Sequence, residues 1–303
     1  MIIQPPDIKQ GDTIGIMCPA GFMSAEKTNA CVSMLENWGY KVAVGKTVGG
    51  LSQNYFSGTD EERLSELQEM LADKKIKAIL FARGGYGTGR IIDQINFKEF
   101  LKHPKWLIGY SDIKILHMHL LSNYKMASLH APMAAAFLDV SENDEYILSL
   151  KDALEGRKTI YNSAPHPYNK SGESKGVLIG GNLALLANSI GTDSDFKTNN
   201  RILFIEDIGE YLYNADRMLS QLKRSGKFSK LKGLIFGGFT NMKDTERKFG
   251  TGIEEILKSY AEELDCPVCF RFPVSHGKEN FALKVGGKYH LSIDADNVQL
   301  KEL

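Results

Sequence analysis

The sequence predicts an α/β protein of two domains, and three observations predict it. The chain has 303 residues, and since domains commonly hold about 100 to 200 residues, two cores are expected. Strand-like and helix-like patterns alternate from the N-terminus, as they do in a parallel, doubly wound sheet. The stretch GRKTIYNSAPHPYNKSGESK over 156–175 has little apolar periodicity, and the pattern beyond it is more mixed. The expectation is an N-terminal flavodoxin- or Rossmann-like parallel-sheet domain over 1–155, a linker over 156–175 and a C-terminal β-rich α/β domain over 176–303.

Each element follows from a local pattern. Thr13 to Met17 reads as a strand, Glu26 to Trp38 as a helix stopped by Gly39, and Lys41 to Val44 as a second strand. Asp60-Glu61-Glu62-Arg63 opens an amphipathic helix with Leu64, Leu67, Met70 and Leu71 on one face, and the apolar run Ile76 to Phe81 reads as a buried strand. A glycine loop follows, then a helix from about Arg90, the strand Trp106 to Tyr110 and a helix after Ser111. In the second half, Gly176–Ile179, Ile202–Ile205 and Leu231–Phe239 read as strands, with helices at Leu183–Ser189 and Asn214–Lys223.

Composition excludes several classes of partner. Lys+Arg and Asp+Glu both number 37, so no net field draws the chain to nucleic acid or to an anionic membrane. The start, MIIQPPDIKQGD, places prolines and charges where a secretory signal needs an apolar stretch. The longest apolar runs fall short of the roughly 18 residues that a membrane helix needs. A cytoplasmic protein with a small-molecule or peptide partner is expected. Cys18, Cys31, Cys266 and Cys269 are too few and scattered for a disulfide framework. Cys266-Pro-Val-Cys269 has redox spacing but leads into a strand-like run, so buried thiols are expected, and one such pair cannot make a four-ligand zinc site.

The stretch Gly109-Tyr110-Ser111-Asp112 sits between a buried strand and a helix. A serine there has its hydroxyl at the carboxyl edge of the sheet, the geometry of a nucleophile elbow. Gly-x-Ser-x-Gly is half met, since Ile113 stands at the last position. The alternative is an N-cap that satisfies an orphan N–H and contributes about 1 kcal/mol. The loop Arg83-Gly84-Gly85-Tyr86-Gly87-Thr88-Gly89-Arg90 also follows a strand and opens a helix. It lacks the glycine of a dinucleotide fingerprint at Arg90 and the Gly-Lys-Ser/Thr of a P-loop. Its backbone N–H groups could serve an oxyanion and Arg83 a carboxylate; otherwise it is a turn that needs positive φ.

A serine nucleophile needs a base, and the base needs an orienting partner. Of seven histidines, His117 and His119 diverge on the helix after Ser111, and His103, His166 and His290 lie in polar loop or strand settings. His130 precedes Ala131-Pro132, while His276 ends the apolar run Phe272-Pro273-Val274-Ser275 beside Gly277. The strand Arg201 to Ile205 runs into Glu206-Asp207, and either carboxylate could orient His276.

Together these residues resemble the LD-carboxypeptidases, the muramoyltetrapeptide carboxypeptidase family of bacterial serine peptidases. The likeness rests on Gly11-Asp12-Thr13-Ile14-Gly15 with Pro19-Ala20-Gly21, on Arg83 to Gly87, on Gly109 to Asp112, on Gly180-Gly181-Asn182-Leu183, on Ile205-Glu206-Asp207 with Asp216-Arg217-Met218-Leu219, and on Phe272 to Gly277. The resemblance implies Ser111 as nucleophile, His276 as general base, Glu206 as the orienting acid, and an oxyanion hole of backbone N–H groups from Asp112 and the Gly85 region. It also implies a swivelling-type C-terminal domain and no metal or cofactor. Ser275 departs from the glycine that many relatives carry before the histidine.

The implied reaction releases a terminal D-amino acid, D-Ala, from murein tetrapeptides in cytoplasmic cell-wall recycling by a homodimer. The free carboxylate of such a substrate suits a guanidinium, with Arg83 first, Arg217 second and Tyr86 beside Arg83. Two alternatives are retained. One is a self-immunity peptidase of the same superfamily that cleaves aminoacyl or peptidyl nucleotide antibiotics. Its extra loops and aromatic platform are not evident in a chain with two tryptophans, Trp38 and Trp106. The other is a non-catalytic flavodoxin-like binding protein in which Ser111 caps its helix.

Overall fold

In the computed structural model, which describes residues 2–50, 54–138 and 140–303, five strands open the chain: β1 (Thr13–Met17), β2 (Lys41–Val44), β3 (Ile76–Phe81), β4 (Trp106–Gly109) and β5 (Ser128–His130). They pair parallel in the order β2-β1-β3-β4-β5. Strand β3 is buried at every position but Lys77, as expected of a parallel strand with both faces covered by helices. This order is that of the flavodoxin-like doubly wound sheets. In sheets of this order the strand order reverses between β1 and β3, and ligands are generally bound at the carboxyl ends of the strands beside that switch point. The loops Pro19–Gly21 and Arg83–Gly87 leave the sheet there.

Helices cover this sheet. A capping box between Thr59 and Glu62 starts the helix Asp60–Ala72, and Asp144 accepts from the amides of Tyr146 and Ile147 to start the helix Glu145–Leu154. One core cluster joins Ile14, Ile16, Leu80, Ile108 and Leu129 of the strands to Leu35, Trp38 and Phe137. The helix Lys114–Tyr124 is buried from Lys114 through Leu121, both histidines included. His119 survives there by stacking on Phe97 at 5.6 Å. The expected first helix begins instead as a 3-10 turn, Ala25–Thr28, before the helix Asn29–Asn37.

The remaining strands are β6 (Ile160–Ser163), β7 (Gly172–Asn182), β8 (Arg201–Ile208), β9 (Gly233–Thr240), β10 (Val268–Cys269), β11 (Leu283–Val285), β12 (Lys288–Ile293) and β13 (Val298–Glu302). All but β11 form a second sheet, ordered β10-β9-β8-β7-β12-β13-β6. Strands β7 to β10 pair parallel, whereas β12 and β13 extend the sheet antiparallel from β7 to β6. The described residues therefore form a mixed α/β fold on two sheets.

Contacts divide the chain into two units, one of residues 1–157 with 282–284 and the other of residues 158–281 with 285–303. Two features differ from the expected layout. The stretch 156–175, read as a linker, carries β6 and the start of β7, because β13 supplies a partner far along the chain that a local pattern cannot reveal. The chain also returns to the first unit, where β11 borders β5 and the Ala282 amide donates to Ser149 Oγ at 2.9 Å.

No described helix is long and apolar enough to cross a membrane. The four cysteines are free and buried. Burial pushes the Cys18 and Cys266 thiols up to about 11 and those of Cys31 and Cys269 higher still.

Candidate active site

Strand β4 ends in Gly109, and Tyr110 continues extended before the backbone turns sharply at Ser111, whose φ is 59°. Such a left-handed conformation costs a non-glycine residue about 1–2 kcal/mol and persists only where its surroundings enforce it. The enforcement is local. A Cβ on Gly109 would lie 2.9 Å from Ile113 Cγ1, so the strand end can close onto the following turn only as glycine. The 3-10 turn Ser111–Ile113 then leads into the helix Lys114–Tyr124, and their N-cap positions are Tyr110 and Ile113, neither of which caps through its side chain. Ser111 is thus strained without being the N-cap.

The glycine loop packs on this turn. A Cβ on Gly84 would stand 3.0 Å from Ser111 Cβ and 3.3 Å from both Ser111 Oγ and the Asp112 amide nitrogen. Only a bare α-carbon allows the loop that close to the hydroxyl. Asp112 is buried, and its Oδ2 accepts from the Thr88 amide at 2.8 Å. Burial raises the Asp112 carboxyl against the pull of those Thr88 bonds. From the other side, the fully buried Arg63 donates through Nη1 to the carbonyls of Pro19 at 2.5 Å and Gly87 at 3.2 Å, and it pairs with Asp60. One guanidinium therefore ties the loop after β1 to the loop after β3.

In the second unit, Glu206 lies in β8 at a bulge, where Ile205 pairs with Phe236 but Asp207 pairs with Phe239. The extra residue belongs to β9, at Gly237-Gly238. A Cβ on Gly237 would sit 2.2 Å from the Val274 carbonyl oxygen, and one on Gly238 would sit 2.5 Å from Ser275 Cβ. The two glycines let the segment Phe272–His276 lie against β9, with the Gly238 amide donating to the Val274 carbonyl at 2.9 Å. That seating brings His276 Nδ1 to 2.6 Å from Glu206 Oε2. Ser275 fits the same loop: its hydroxyl donates to the Glu279 carbonyl and accepts from the Gly277 amide.

Burial of His276 lowers its pKa, but the hydrogen bond and charge of Glu206, with the charge of Asp207, outweigh it and hold the imidazole above its ordinary value. Asp207 points elsewhere. Its Oδ1 accepts from Asn182 Nδ2 at 2.7 Å and from the Ile208 amide at 2.8 Å, and its Oδ2 accepts from the Ala184 amide at 3.1 Å. Burial pushes its carboxyl up to about 7. A cavity of about 580 Å³ lies beside the histidine loop, lined among others by Phe236, Phe239, Arg271 and Ser275.

The other sequence candidates are distributed as follows. Arg83 is exposed, with Nη1 donating to the Phe22 carbonyl at 2.8 Å, and Tyr86 is exposed with its ring 6.0 Å from that of Phe56. Arg217 lies on the exposed side of the helix Leu212–Arg224, hydrogen-bonded to Asn214 and over the ring of Tyr213. His130 is buried, its ring 5.8 Å from that of Tyr110, and the buried His117 lies 3.5 Å from Lys114 Nζ. His166 stacks on Phe270, and His290 meets Glu173.

A model of the LD-carboxypeptidase N-terminal domain matches residues 14–131, and one of the LD-carboxypeptidase C-terminal domain matches residues 175–291. The chain belongs to the LD-carboxypeptidase family. A relative from Bacillus subtilis (strain 168), named "Probable murein peptide carboxypeptidase", is 35% identical over 94% of this chain and 90% of its own. The crystal structure of muramoyltetrapeptide carboxypeptidase from Oxalobacter formigenes superimposes with a TM-score of 0.85 at 30% identity, covering 96% of this chain and 98% of that one. The Microcin C7 self-immunity protein of Escherichia coli is 25% identical over 96% of this chain and 94% of its own.

As an LD-carboxypeptidase family member the chain is a peptidase, and its second unit pairs an imidazole with a carboxylate as such chemistry needs. Among the described residues no group of three or more His, Cys, Asp or Glu side chains could hold a metal ion. Sequence reasoning missed Arg63, which reads as one more polar residue of an amphipathic helix, and Gly237-Gly238. The doubled glycine inside the apolar run Leu234 to Phe239 was a signal of close backbone approach.

Proposed function

We propose that the chain is a serine LD-carboxypeptidase that releases the terminal D-alanine of murein tetrapeptides, with Ser111, His276 and Glu206 as its reacting set. The observation that carries this reading is the 2.6 Å contact of His276 Nδ1 with Glu206 Oε2. A carboxylate on Nδ1 fixes the tautomer that leaves Nε2 as the proton acceptor and stabilises the imidazolium formed in the reaction. The strained turn at Ser111 and the names of the relatives support the same reading.

In this mechanism Ser111 Oγ attacks the carbonyl of the bond between an L-configured centre and the terminal D-residue, and its proton passes to His276 Nε2. The carbonyl oxygen becomes an oxyanion, held by the amides of Asp112 and Gly85. The imidazolium then gives its proton to the departing amine, the C–N bond breaks and an ester to Ser111 remains. Water, losing a proton to His276, attacks that ester; the bond from the acyl carbon to Ser111 Oγ breaks, the imidazolium returns its proton to Oγ, and the shortened peptide leaves. The chemistry requires the Ser111 hydroxyl and the His276 imidazole to come within hydrogen-bond reach.

Arg83 and Tyr86, both exposed on the glycine loop, are the substrate-binding candidates of this reading; Arg217, engaged with Asn214 and Tyr213, is the weaker one. Cytoplasmic recycling and a homodimer come with this reading through family likeness alone. The test is mass spectrometry of a defined murein tetrapeptide incubated with the wild type and with Ser111→Ala. Loss of one alanine residue with the first and not with the second is expected. An unchanged peptide, or cleavage by both chains, overturns the proposal. An aminoacyl sulfamoyl adenosine in a parallel assay separates the nucleotide-antibiotic alternative.

A further inference from the structure

Tyr55 has no part in the mechanism above, yet its hydroxyl stands at the glycine loop. A Cβ on Gly85 would lie 2.6 Å from the Tyr55 hydroxyl oxygen, and the adjoining Gly84 is the residue packed on Ser111. Tyr55 and Arg83 are tethered to the same residue: the Phe22 amide donates to the Tyr55 carbonyl at 3.0 Å, and Arg83 Nη1 donates to the Phe22 carbonyl at 2.8 Å. The Tyr55 ring meets Phe56 edge-on at 5.3 Å, and Phe56 is itself fixed under Arg63 and Arg90, whose guanidinium carbons lie 5.0 and 5.4 Å from its centroid. The phenol is thus well anchored although 53% of Tyr55 remains exposed.

We propose that the Tyr55 hydroxyl and the Arg83 guanidinium together hold the free carboxylate of the departing D-amino acid, which makes Tyr55 a specificity-determining residue of this peptidase. The inference rests on the proposed function. Its chemistry follows from donor count. Among the described residues no carboxylate pairs with Arg83, so its charge is available to a ligand. A phenol adds a neutral donor at a second angle without a competing charge, and a carboxylate offers two oxygens to receive both. An internal peptide bond or a carboxamide at that position presents no charge, so the pair discriminates a chain end from a chain interior.

The experiment measures binding of the murein tetrapeptide and of its C-terminal carboxamide to Ser111→Ala, with and without Tyr55→Phe. Loss of one charge-assisted hydrogen bond weakens binding of the acid by about 10- to 100-fold, and the carboxamide, whose oxygen accepts only a neutral hydrogen bond, is expected to lose less, about 2- to 10-fold. Equal losses for both ligands, or none for either, overturn the inference while leaving the peptidase reading intact. Failure of that reading is recognised separately: the wild type releases no D-alanine and neither ligand binds.

Discussion

His276 Nδ1 lies 2.6 Å from Glu206 Oε2, and the two residues are 70 positions apart in the chain. Sequence order could not establish that contact; a bulge and two glycines do. The first prediction concerns its charge. Glu206→Gln keeps the shape of the carboxylate but can offer Nδ1 the wrong partner, and kcat is expected to fall by about 10³- to 10⁴-fold.

The pH profile of that variant gives an independent check. With His276 as the proposed base, its pKa held above the ordinary value means that the neutral form appears only at higher pH, and the acidic limb of kcat/KM is expected above about 6.5. Residual Glu206→Gln activity is expected to have its limb at lower pH. The same shift favours folding in the charged form. That stabilisation is complete below about 6.5 and is lost as pH rises through the higher folded value, and denaturant titrations of the two chains across this window would show it only in the wild type.

Ser111 supplies a stability prediction that is independent of substrate. Its φ of 59° suits glycine, so Ser111→Gly should be more stable than Ser111→Ala by about 1 kcal/mol, although both lack turnover. Urea denaturation measures the difference, and labelling by a fluorophosphonate should disappear in both. Equal stability of the two variants would argue against strain at the elbow.

Gly237→Ala tests how the histidine is seated. The added methyl would be placed 2.2 Å from the Val274 carbonyl oxygen, so the segment carrying His276 must shift. A loss of about 1–3 kcal/mol is expected in thermal unfolding, with kcat reduced further than the same substitution at the exposed Gly250 reduces it.

Asp207 should shape acid stability. Its carboxyl rises from 3.8 to about 7, so the folded chain binds that proton more tightly than the unfolded chain does. Stability contributed by Asp207 is therefore greatest below 3.8 and declines as pH climbs to about 7. Asp207→Asn removes this slope. It also turns a donor toward the Ala184 amide at a cost of about 1–3 kcal/mol, and denaturation at several pH values resolves both effects.

Much of the first unit was legible because its signals are local. The strands Thr13–Met17, Lys41–Val44 and Ile76–Phe81 stand where apolar runs and their punctuation placed them. Ser111 was visible as a polar residue on a strand-to-helix turn, but its backbone strain was not, since φ depends on how Gly84 and Ile113 pack around it. The pairing of His276 with Glu206 rather than Asp207 followed from family likeness, while the residues alone left it open. Physically the choice is made by Asn182 and the Ala184 amide, which occupy Asp207 from an adjacent strand and helix. β6 escaped notice because its stretch carries Pro, Asn and Ser, and its strand character comes from β13, more than a hundred residues away.

The loan of β11 to the first sheet has a consequence for anyone who would express the halves apart. A stop codon after residue 157 deletes Leu283–Val285, the strand that borders β5. The short strand Ser128–His130 would then expose bare amide and carbonyl groups to other copies, an invitation to aggregate. Grafting the missing tripeptide back would cover that edge, because residues 282–284 belong with a unit whose other residues end at 157.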